Sequence, residues 1–343
     1  MTRYCAPDGT PTDKVAAYYR RRAEGGVGLI LSEGAFVDIG NARNHEDIPW
    51  LAGERLKPWK KVIDDVHAAG GRMAPQLWHV GGTPEPLYPD SPLVADLISP
   101  FGLLGDDIPG GREMTEEDIA DVVASFVRTA KNVQAMGFDA IEFHGGHGYL
   151  FDQFFWTVTN KRRDGFGGTR IGDRTRFAAE VIRQTRRAVG EDFVLLFRLS
   201  QWKMTDFQAR NASNPGELEE WIRPLVEAGV DIFDCSQRRF WEPEFEGSEL
   251  NLAGWVKKIG GQPTITVGSI GLSNDMIDSV GGATSRPTPA SIEDAATRLD
   301  RGEFDLVALG RSLIADPQWP GKVKERRFDE LVTYSVDMTR TLV

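Results

Sequence analysis

The stretch that decides the fold is residues 138–149, which read FDAIEFHGGHGY. Its first part, 140–143, is a short and largely apolar run that predicts a buried strand, and a polar, glycine-rich segment follows it directly. Upstream, Thr115 and the acidic residues after it predict the start of a helix that runs to about Met136. Downstream, the spacing of apolar residues predicts another helix over 174–189. A buried strand between two amphipathic helices is the repeating unit of an α/β protein.

The same alternation of strands and helices continues along the chain in both directions. Seven strands are predicted, at 27–31, 72–77, 140–143, 193–197, 232–235, 264–267 and 306–309. The predicted helices lie at 13–24, 57–69, 115–136, 174–189, 215–228, 252–259 and 290–300. Because strands that alternate with helices form a parallel sheet covered by helices, we expect a single α/β domain over 1–343, a TIM (β/α)8 barrel. The chain begins at what would be the tip of the first barrel strand, so we expect that strand to be missing or truncated at the N-terminus.

Three stretches with no clear period are expected to be loops that shape a pocket. They are 81–114, which is rich in proline and glycine, 199–214 and 237–251. Trp202 and Trp241 are candidates for the pocket wall, although large aromatic residues on loops are as often packing residues. Neither a G-x-G-x-x-G nor a P-loop fingerprint is present, which disfavours dinucleotide-binding and P-loop folds.

Composition and charge exclude several classes of protein. The chain has 343 residues, 40 of them basic and 51 acidic, for a formal net charge of −11, which disfavours a nucleic-acid partner and a polybasic membrane anchor. Its 2 cysteines, Cys5 and Cys235, are too few for a disulfide framework or a four-thiolate zinc site. No signal peptide is evident, and no apolar stretch approaches the length of about 20 residues that spans a membrane. We therefore expect a cytoplasmic enzyme.

The densest group of chemically useful residues follows the strand at 140–143. In a barrel, catalytic groups lie at the carboxyl ends of the strands and in the loops after them. His144 and His147, three residues apart, could donate two hydrogen bonds to one oxygen, and the phenol of Tyr149 could donate a proton. The alternative is a loop whose histidines face solvent or cap the next helix.

A second interpretation of the same strand ends is a metal-dependent hydrolase. His79, His144, His147 and Glu142 could in principle form its site. Barrel hydrolases usually collect more His and Asp at their strand ends than this chain offers, so we expect no metal.

The other strand ends offer groups that suit a flavin mononucleotide. Gly268 and Gly310 follow the last two strands, where backbone N–H groups often bind phosphate, and Arg311 could pair with phosphate oxygens. Arg198 faces a dry barrel mouth and requires an anionic or electron-rich partner, and the amide of Gln76 can both donate and accept. The alternatives are two ordinary tight turns, a surface arginine and a satisfied strand-end amide.

Taken together, these residues resemble the old yellow enzyme family of flavin-dependent ene-reductases. The resemblance runs nearly end to end and is carried by segments 1–4, 76–79, 144–150, 152–155, 160–168 and 310–311. It implies a TIM barrel with bound FMN and NADH or NADPH as the hydride donor. It also implies a small-molecule substrate, an activated alkene conjugated to a carbonyl, and a homodimer or larger assembly.

The resemblance also implies roles for individual residues around the flavin. Thr2 would contact the flavin near its C4 carbonyl, and Gly34 and Gln76 would contact the isoalloxazine ring. Arg198 would stabilise negative charge near flavin N1. The phosphate would be held by Gly268, Gly310 and Arg311.

On the substrate side, the resemblance assigns His144 and His147 to the substrate carbonyl. Tyr149 would be the proton donor, and Tyr4 would line the substrate pocket. The two histidines and Tyr4 are more similar to the thermophilic-like branch of the family than to the branch with a His/Asn pair.

One departure from the family concerns the N-terminus. Members of the family have a segment that includes the first barrel strand before the part similar to residues 1–4. Without that strand the neighbouring strands expose an edge and Thr2 lacks rigid support. We therefore expect this chain to bind FMN poorly or to fold marginally, and a catalytically impaired barrel is the third class considered.

Overall fold

The computed structural model describes residues 1–85 and 91–343, and a parallel sheet of seven strands forms their centre. The strands are β1 Leu29–Phe36, β2 Arg72–Trp78, β3 Ala140–His144, β4 Val194–Ser200, β5 Ile232–Ser236, β6 Thr264–Val267 and β7 Leu306–Val307. Their order in the sheet is their order in the chain. The predicted parallel sheet of seven strands with intervening helices is confirmed. β1 and β7 are the outer strands of the described sheet, and the missing first barrel strand stays a prediction.

Helices follow the strands and cover the sheet. They are α1 Asp13–Glu24, α2 Leu56–Ala68, α3 Glu116–Ala135, α4 Leu150–Phe155, α5 Ile171–Arg174, α6 Arg176–Val189, α7 Pro215–Ala228, α8 Leu252–Gly260, α9 Met276–Val280, α10 Pro289–Asp300, α11 Arg311–Ala315 and α12 Trp319–Lys324. Short 3-10 helices lie at Pro7–Gly9, Gly40–Ala42, Gly53–Arg55, Pro92–Asp96, Phe328–Glu330 and Val336–Arg340. Large aromatic side chains fill the layer between helices and sheet, and Trp59, Phe126 and Trp221 are fully buried there. None of the described helices has the length and apolar character required to cross a bilayer.

The start of α3 forms as its sequence predicts. The Thr115 side chain accepts the N–H of Asp118, and the Asp118 carboxylate accepts the N–H of Thr115, which makes a capping box. Two orphan donors of the first turn are thereby satisfied, so the helix begins at a fixed residue.

The expectation that 81–114 is only loop was wrong in part. Ile98–Ser99 pairs with Arg112–Glu113 in a parallel ladder, and Leu103–Gly105 pairs with Ile108–Pro109 in an antiparallel one. Strands of two or three residues are too short to show a period, which is why the pattern missed them. Residues 86–90 of this stretch lie outside the described residues.

β1 continues beyond its predicted end through the polar segment Ser32-Glu33-Gly34. Ser32 Oγ accepts the N–H of Gln76 on β2, and the register shifts between Leu31 and Gly34. The polar side chains are buried because they have such partners, so the strand extends although its pattern is not apolar. The shift brings Gly34 opposite Gln76.

Candidate active site

A cavity of about 250 Å³ lies at the carboxyl ends of the strands. Ten of the eleven residues predicted for the site line it, namely Thr2, Gly34, Gln76, His144, His147, Tyr149, Arg198, Gly268, Gly310 and Arg311. They come from the N-terminal segment, from strands β1 to β4, from loops after β3, β6 and β7, and from the start of α11. In a parallel sheet all these ends meet at one edge, which explains how residues far apart in the chain come together.

Tyr4 is the predicted residue that the structure does not bring into this group. Its side chain is 38% exposed and its ring contacts His45 edge-on, with 4.9 Å between the ring centroids. Tyr4 has a positive φ of 51°, which turns the chain at this point. Its role as a wall of the substrate pocket is therefore without geometric support.

His144 and His147 lie next to each other on one side of the cavity. Their ring centroids are 5.1 Å apart and the rings are nearly perpendicular. Burial, followed by the charge of Arg198, holds the pKa of both imidazoles well below the usual value, so both are neutral at pH 7. A neutral imidazole retains one N–H, so each ring can donate one hydrogen bond.

The two rings differ in their partners. His144 Nδ1 is buried and has no hydrogen-bond partner among the described residues, whereas His147 Nε2 lies 2.8 Å from Ser236 Oγ. The indole of Trp202 stacks on the His147 ring with 4.3 Å between centroids. His147 is therefore held from two sides, whereas His144 lines the cavity and keeps one buried ring nitrogen without a partner among the described residues.

Tyr149 lies on the same wall as the histidines. Its ring contacts Trp78 edge-on at 4.8 Å and lies 5.1 Å from the His144 ring. Burial raises the pKa of the Tyr149 phenol, so the hydroxyl keeps its proton at neutral pH. The arrangement places a proton donor beside a pair of hydrogen-bond donors.

The loop that carries His147 is fixed by a fully buried ion pair. Lys203 Nζ lies 2.7 Å from Asp152 Oδ1, and both side chains are inaccessible to solvent. The other oxygen of Asp152 accepts the N–H of Gly148 at 2.7 Å, and Asn211 Nδ2 donates to Oδ1. Sequence reasoning missed this pair because its members are 51 residues apart and no local pattern connects them.

Arg311 is a buried cation that lines the same cavity, and each of its hydrogen-bond acceptors is neutral. Its guanidinium donates to the carbonyl oxygens of Asn274 and Asp275 and to the hydroxyls of Ser269, Ser279 and Ser285. Burial lowers its pKa, which marks the cost of desolvating this charge. A guanidinium oriented in this way suits an anionic ligand.

The glycines beside Arg311 fit the same ligand. A Cβ added at Gly310 would meet only Met1 Sδ, at 3.7 Å, so a side chain there would fill the cavity. At Gly268 a Cβ would come within 2.7 Å of Gln237 O, so only glycine fits that turn. The donor set and the space left by these glycines suit FMN.

The four candidate metal ligands do not form one group, although His144 and His147 are neighbours. His79 accepts the N–H of Gly81, its other ring nitrogen contacts Asn41, and burial lowers its pKa to about 3. Over residues 1–85 and 91–343 no group of three or more His, Cys, Asp or Glu is placed to share a metal ion. The hydrolase alternative is therefore not favoured.

The structure separates the two tryptophans that the sequence offered as candidates for the pocket wall. Trp202 lines the cavity as expected, whereas Trp241 is 38% exposed and contacts Phe240. Ser236 was overlooked, although it is the last residue of β5 and the strand-end rule that found the other residues would have found it.

Known proteins with similar sequences include flavin oxidoreductases and NADH oxidases. A family model described as the NADH:flavin oxidoreductase / NADH oxidase family matches residues 1–285. An NADH oxidase of Thermoanaerobacter brockii is 34% identical over 96% of this chain and 48% of its own length. Flavin oxidoreductase hxnT of Emericella nidulans is 31% identical over 92% of this chain and 81% of its own length. This chain thus spans about half the length of the T. brockii protein.

A solved structure shows the fold. The old yellow enzyme homologue of Zymomonas mobilis superposes with a TM-score of 0.79 over 99% of this chain and 90% of that one, at 21% identity. The chain therefore has the fold of that protein, a TIM barrel.

Proposed function

Because this chain belongs to the NADH:flavin oxidoreductase / NADH oxidase family, as its resemblance to the old yellow enzymes predicts, we propose that it is an FMN-dependent oxidoreductase. It uses NADH or NADPH to reduce the C=C bond of an α,β-unsaturated carbonyl compound. The observation that carries this proposal is one cavity lined by two neutral imidazoles, a protonated phenol and a buried guanidinium.

The cofactor side of the cavity would hold and orient FMN, which when bound would supply the hydride-transfer chemistry between the nicotinamide and the substrate alkene. Arg311, Gly310 and Gly268 would hold its phosphate, and Thr2, Gly34 and Gln76 would contact its ring. Arg198 would place its positive charge beside the ring and stabilise negative charge there.

The histidines bind the substrate carbonyl oxygen. Both rings line the cavity and lie beside each other, which supports two hydrogen bonds to one oxygen. Two preoriented donors stabilise the negative charge that develops on the oxygen as hydride reaches the β-carbon. The indole of Trp202 stacks on the His147 ring and helps to fix its orientation.

Tyr149 completes the reaction by protonating the α-carbon. Its raised pKa keeps the proton on the phenol until a carbanion-like centre is present. Its position beside His144 supports delivery to the carbon next to the bound carbonyl.

The experiment separates the two half-reactions. The purified chain should show flavin absorption, anaerobic NADPH or NADH should bleach it, and 2-cyclohexen-1-one should restore it. Cyclohexanone and cyclohexene, which lack either the alkene or the carbonyl, are the controls and should not restore it. Reoxidation by oxygen but not by the enone would leave a flavin oxidoreductase and reject alkene reduction.

We also propose that the working form is a homodimer or larger. This follows from the family resemblance alone. Light scattering during size-exclusion chromatography tests it, and a monomer at micromolar concentration would contradict it.

A further inference from the structure

Two buried carboxyl groups lie beside Gln76 and Arg198, two of the residues that line the cavity. Glu142 on β3 is the register partner of Gln76 on β2, and Asp234 on β5 is the register partner of Arg198 on β4. Glu142 and Asp234 are both 0% exposed, whereas Gln76 and Arg198 line the cavity. Each carboxyl group is thus placed on the strand next to one residue that lines the cavity.

The contacts connect the four side chains. Gln76 Nε2 donates to Glu142 Oε1 at 2.6 Å, and Asp234 Oδ2 lies 3.6 Å from Arg198 Nε. Within the described residues, Glu142 Oε2, both oxygens of Asp234 and Arg198 Nε have no other hydrogen-bond partner. Asp234 is close enough to act on Glu142, and since no other donor reaches Glu142 Oε2 or the Asp234 oxygens among the described residues, a hydrogen bond between the two carboxyl groups requires a proton on the pair itself.

A count of the charges also indicates that the pair of carboxyl groups carries one proton. Burial lowers the pKa of the nearby Met1 amino group to about 6, so this group is largely uncharged at pH 8. Two buried carboxylates beside the guanidinium of Arg198 would therefore leave a net negative charge in a dry interior. One proton on the pair leaves a single negative charge, which Arg198 neutralises. Burial and the neighbouring Asp234 both raise the pKa of Glu142 well above its usual value, which agrees with a protonated group.

We propose that Glu142 and Asp234 share one proton and act as positioning residues for Gln76 and Arg198. Glu142 fixes the Gln76 amide, and the single negative charge of the pair fixes the Arg198 guanidinium and offsets its field. The inference rests on the proposed function, because the groups they position are those assigned to FMN. Either carboxyl can carry the charge, so the pair keeps one charge when one member is lost.

A double-mutant cycle on the midpoint potential of bound flavin tests this. In Glu142→Gln and in Asp234→Asn the remaining carboxyl ionises beside Arg198, so each potential should stay close to that of the parent. In the double variant no carboxylate offsets Arg198, so the reduced flavin is stabilised and the potential should become more positive. The shift should exceed the sum of the two single shifts. Additive shifts, or no shift in the double variant, would overturn the proposal.

Infrared spectroscopy at pH 8 provides a second readout that needs no flavin. The parent should show a protonated carboxyl band that is absent from both single variants, since each has one ionised carboxyl. Asp231→Asn, on the same segment but paired with Arg186, is the matched control and should retain the band. A band that persists in both single variants would exclude the shared proton.

The two readouts separate the two proposals. A chain that holds no flavin but loses the band in both single variants rejects the proposed function and keeps the carboxyl pair. A flavin-loaded chain with additive shifts in potential and a persistent carboxyl band rejects the carboxyl pair and leaves the proposed function in place.

Discussion

At the level of single residues, the phenol of Tyr149 has one chemical task, which is to give up a proton. In Tyr149→Phe the ring keeps its contacts with Trp78 and His144 but the proton is lost. We expect alkene reduction to slow by about 10²-fold or more, within the range of general acids. Stopped-flow measurement of flavin reoxidation by an enone measures this change.

The other half-reaction is the internal control for this variant. Reduction of the flavin by NADPH does not need the phenol, so its rate should stay within about twofold of the parent on the same general-acid argument. Equal slowing of both half-reactions would show that Tyr149 positions the cofactor rather than protonates the substrate.

The two cysteines make a prediction about reactivity. Cys235 is fully buried on β5, and burial raises the pKa of its thiol well above the usual value; Cys5 is partly exposed. A disulfide reagent should therefore modify one thiol in the native protein and both after unfolding in guanidinium. Rapid reaction of both thiols in the native protein would contradict the burial of β5.

Much of the cavity could be predicted residue by residue, because one rule applies to every strand end. The rule found Gln76, His144 and Arg198, and it would have found Ser236 had it been applied to β5. Glu142 and Asp234 could not be assigned, because an acidic residue in an apolar strand does not reveal which buried groups it contacts.

At the level of elements, the capping box of α3 can be tested through its pH dependence. Hydrogen bonds from Arg112 hold the pKa of Asp118 well below its usual value of 3.8, so its stabilisation is complete above pH 3.8 and is lost only as the pH falls through the lowered pKa. Asp118→Asn should cost about 1 kcal/mol at pH 7 and somewhat less near pH 3, where the folded carboxyl is still ionised. Chemical denaturation at the two pH values measures the free energy of unfolding.

A neighbouring acid serves as the control for that prediction. Asp121 is exposed on the same helix and takes no part in the box. Asp121→Asn should change the free energy of unfolding by less than about 0.5 kcal/mol. A similar loss in both variants would indicate a general charge effect rather than a cap.

Periodicity predicted the strands well and the short helices poorly. Each predicted strand overlaps an observed one, because apolar runs bounded by turn residues are a strong signal. α4, α9, α11 and α12 have five or six residues, too few to show a helical period. The hairpin at Leu103–Gly105 and Ile108–Pro109 was missed for the same reason.

At the level of the whole molecule, cofactor binding should stabilise the fold. Ligand at 100 times its dissociation constant adds about 2.7 kcal/mol to the free energy of unfolding. FMN should therefore raise the melting temperature of the apoprotein by roughly several degrees. Differential scanning calorimetry with and without FMN measures the shift.

A variant of Arg311 tests whether that stabilisation depends on a contact with the FMN phosphate. Arg311→Ala should weaken FMN binding at least about tenfold, since a charge-assisted hydrogen bond contributes roughly 1.5–3 kcal/mol. Riboflavin, which lacks the phosphate, is the matched ligand and should bind both proteins equally. Equal weakening for both ligands would show that Arg311 only maintains the loops of Ser269 and Ser285.

The buried pair of Lys203 and Asp152 has a consequence for how this protein can be diversified. Losing one partner leaves an unpaired charge in the interior and costs about 3–5 kcal/mol, whereas a matched apolar exchange of both is often neutral. Libraries that randomise the pocket loops one codon at a time will therefore discard nearly every change at these two positions. Paired codons open sequence space that stepwise selection does not reach.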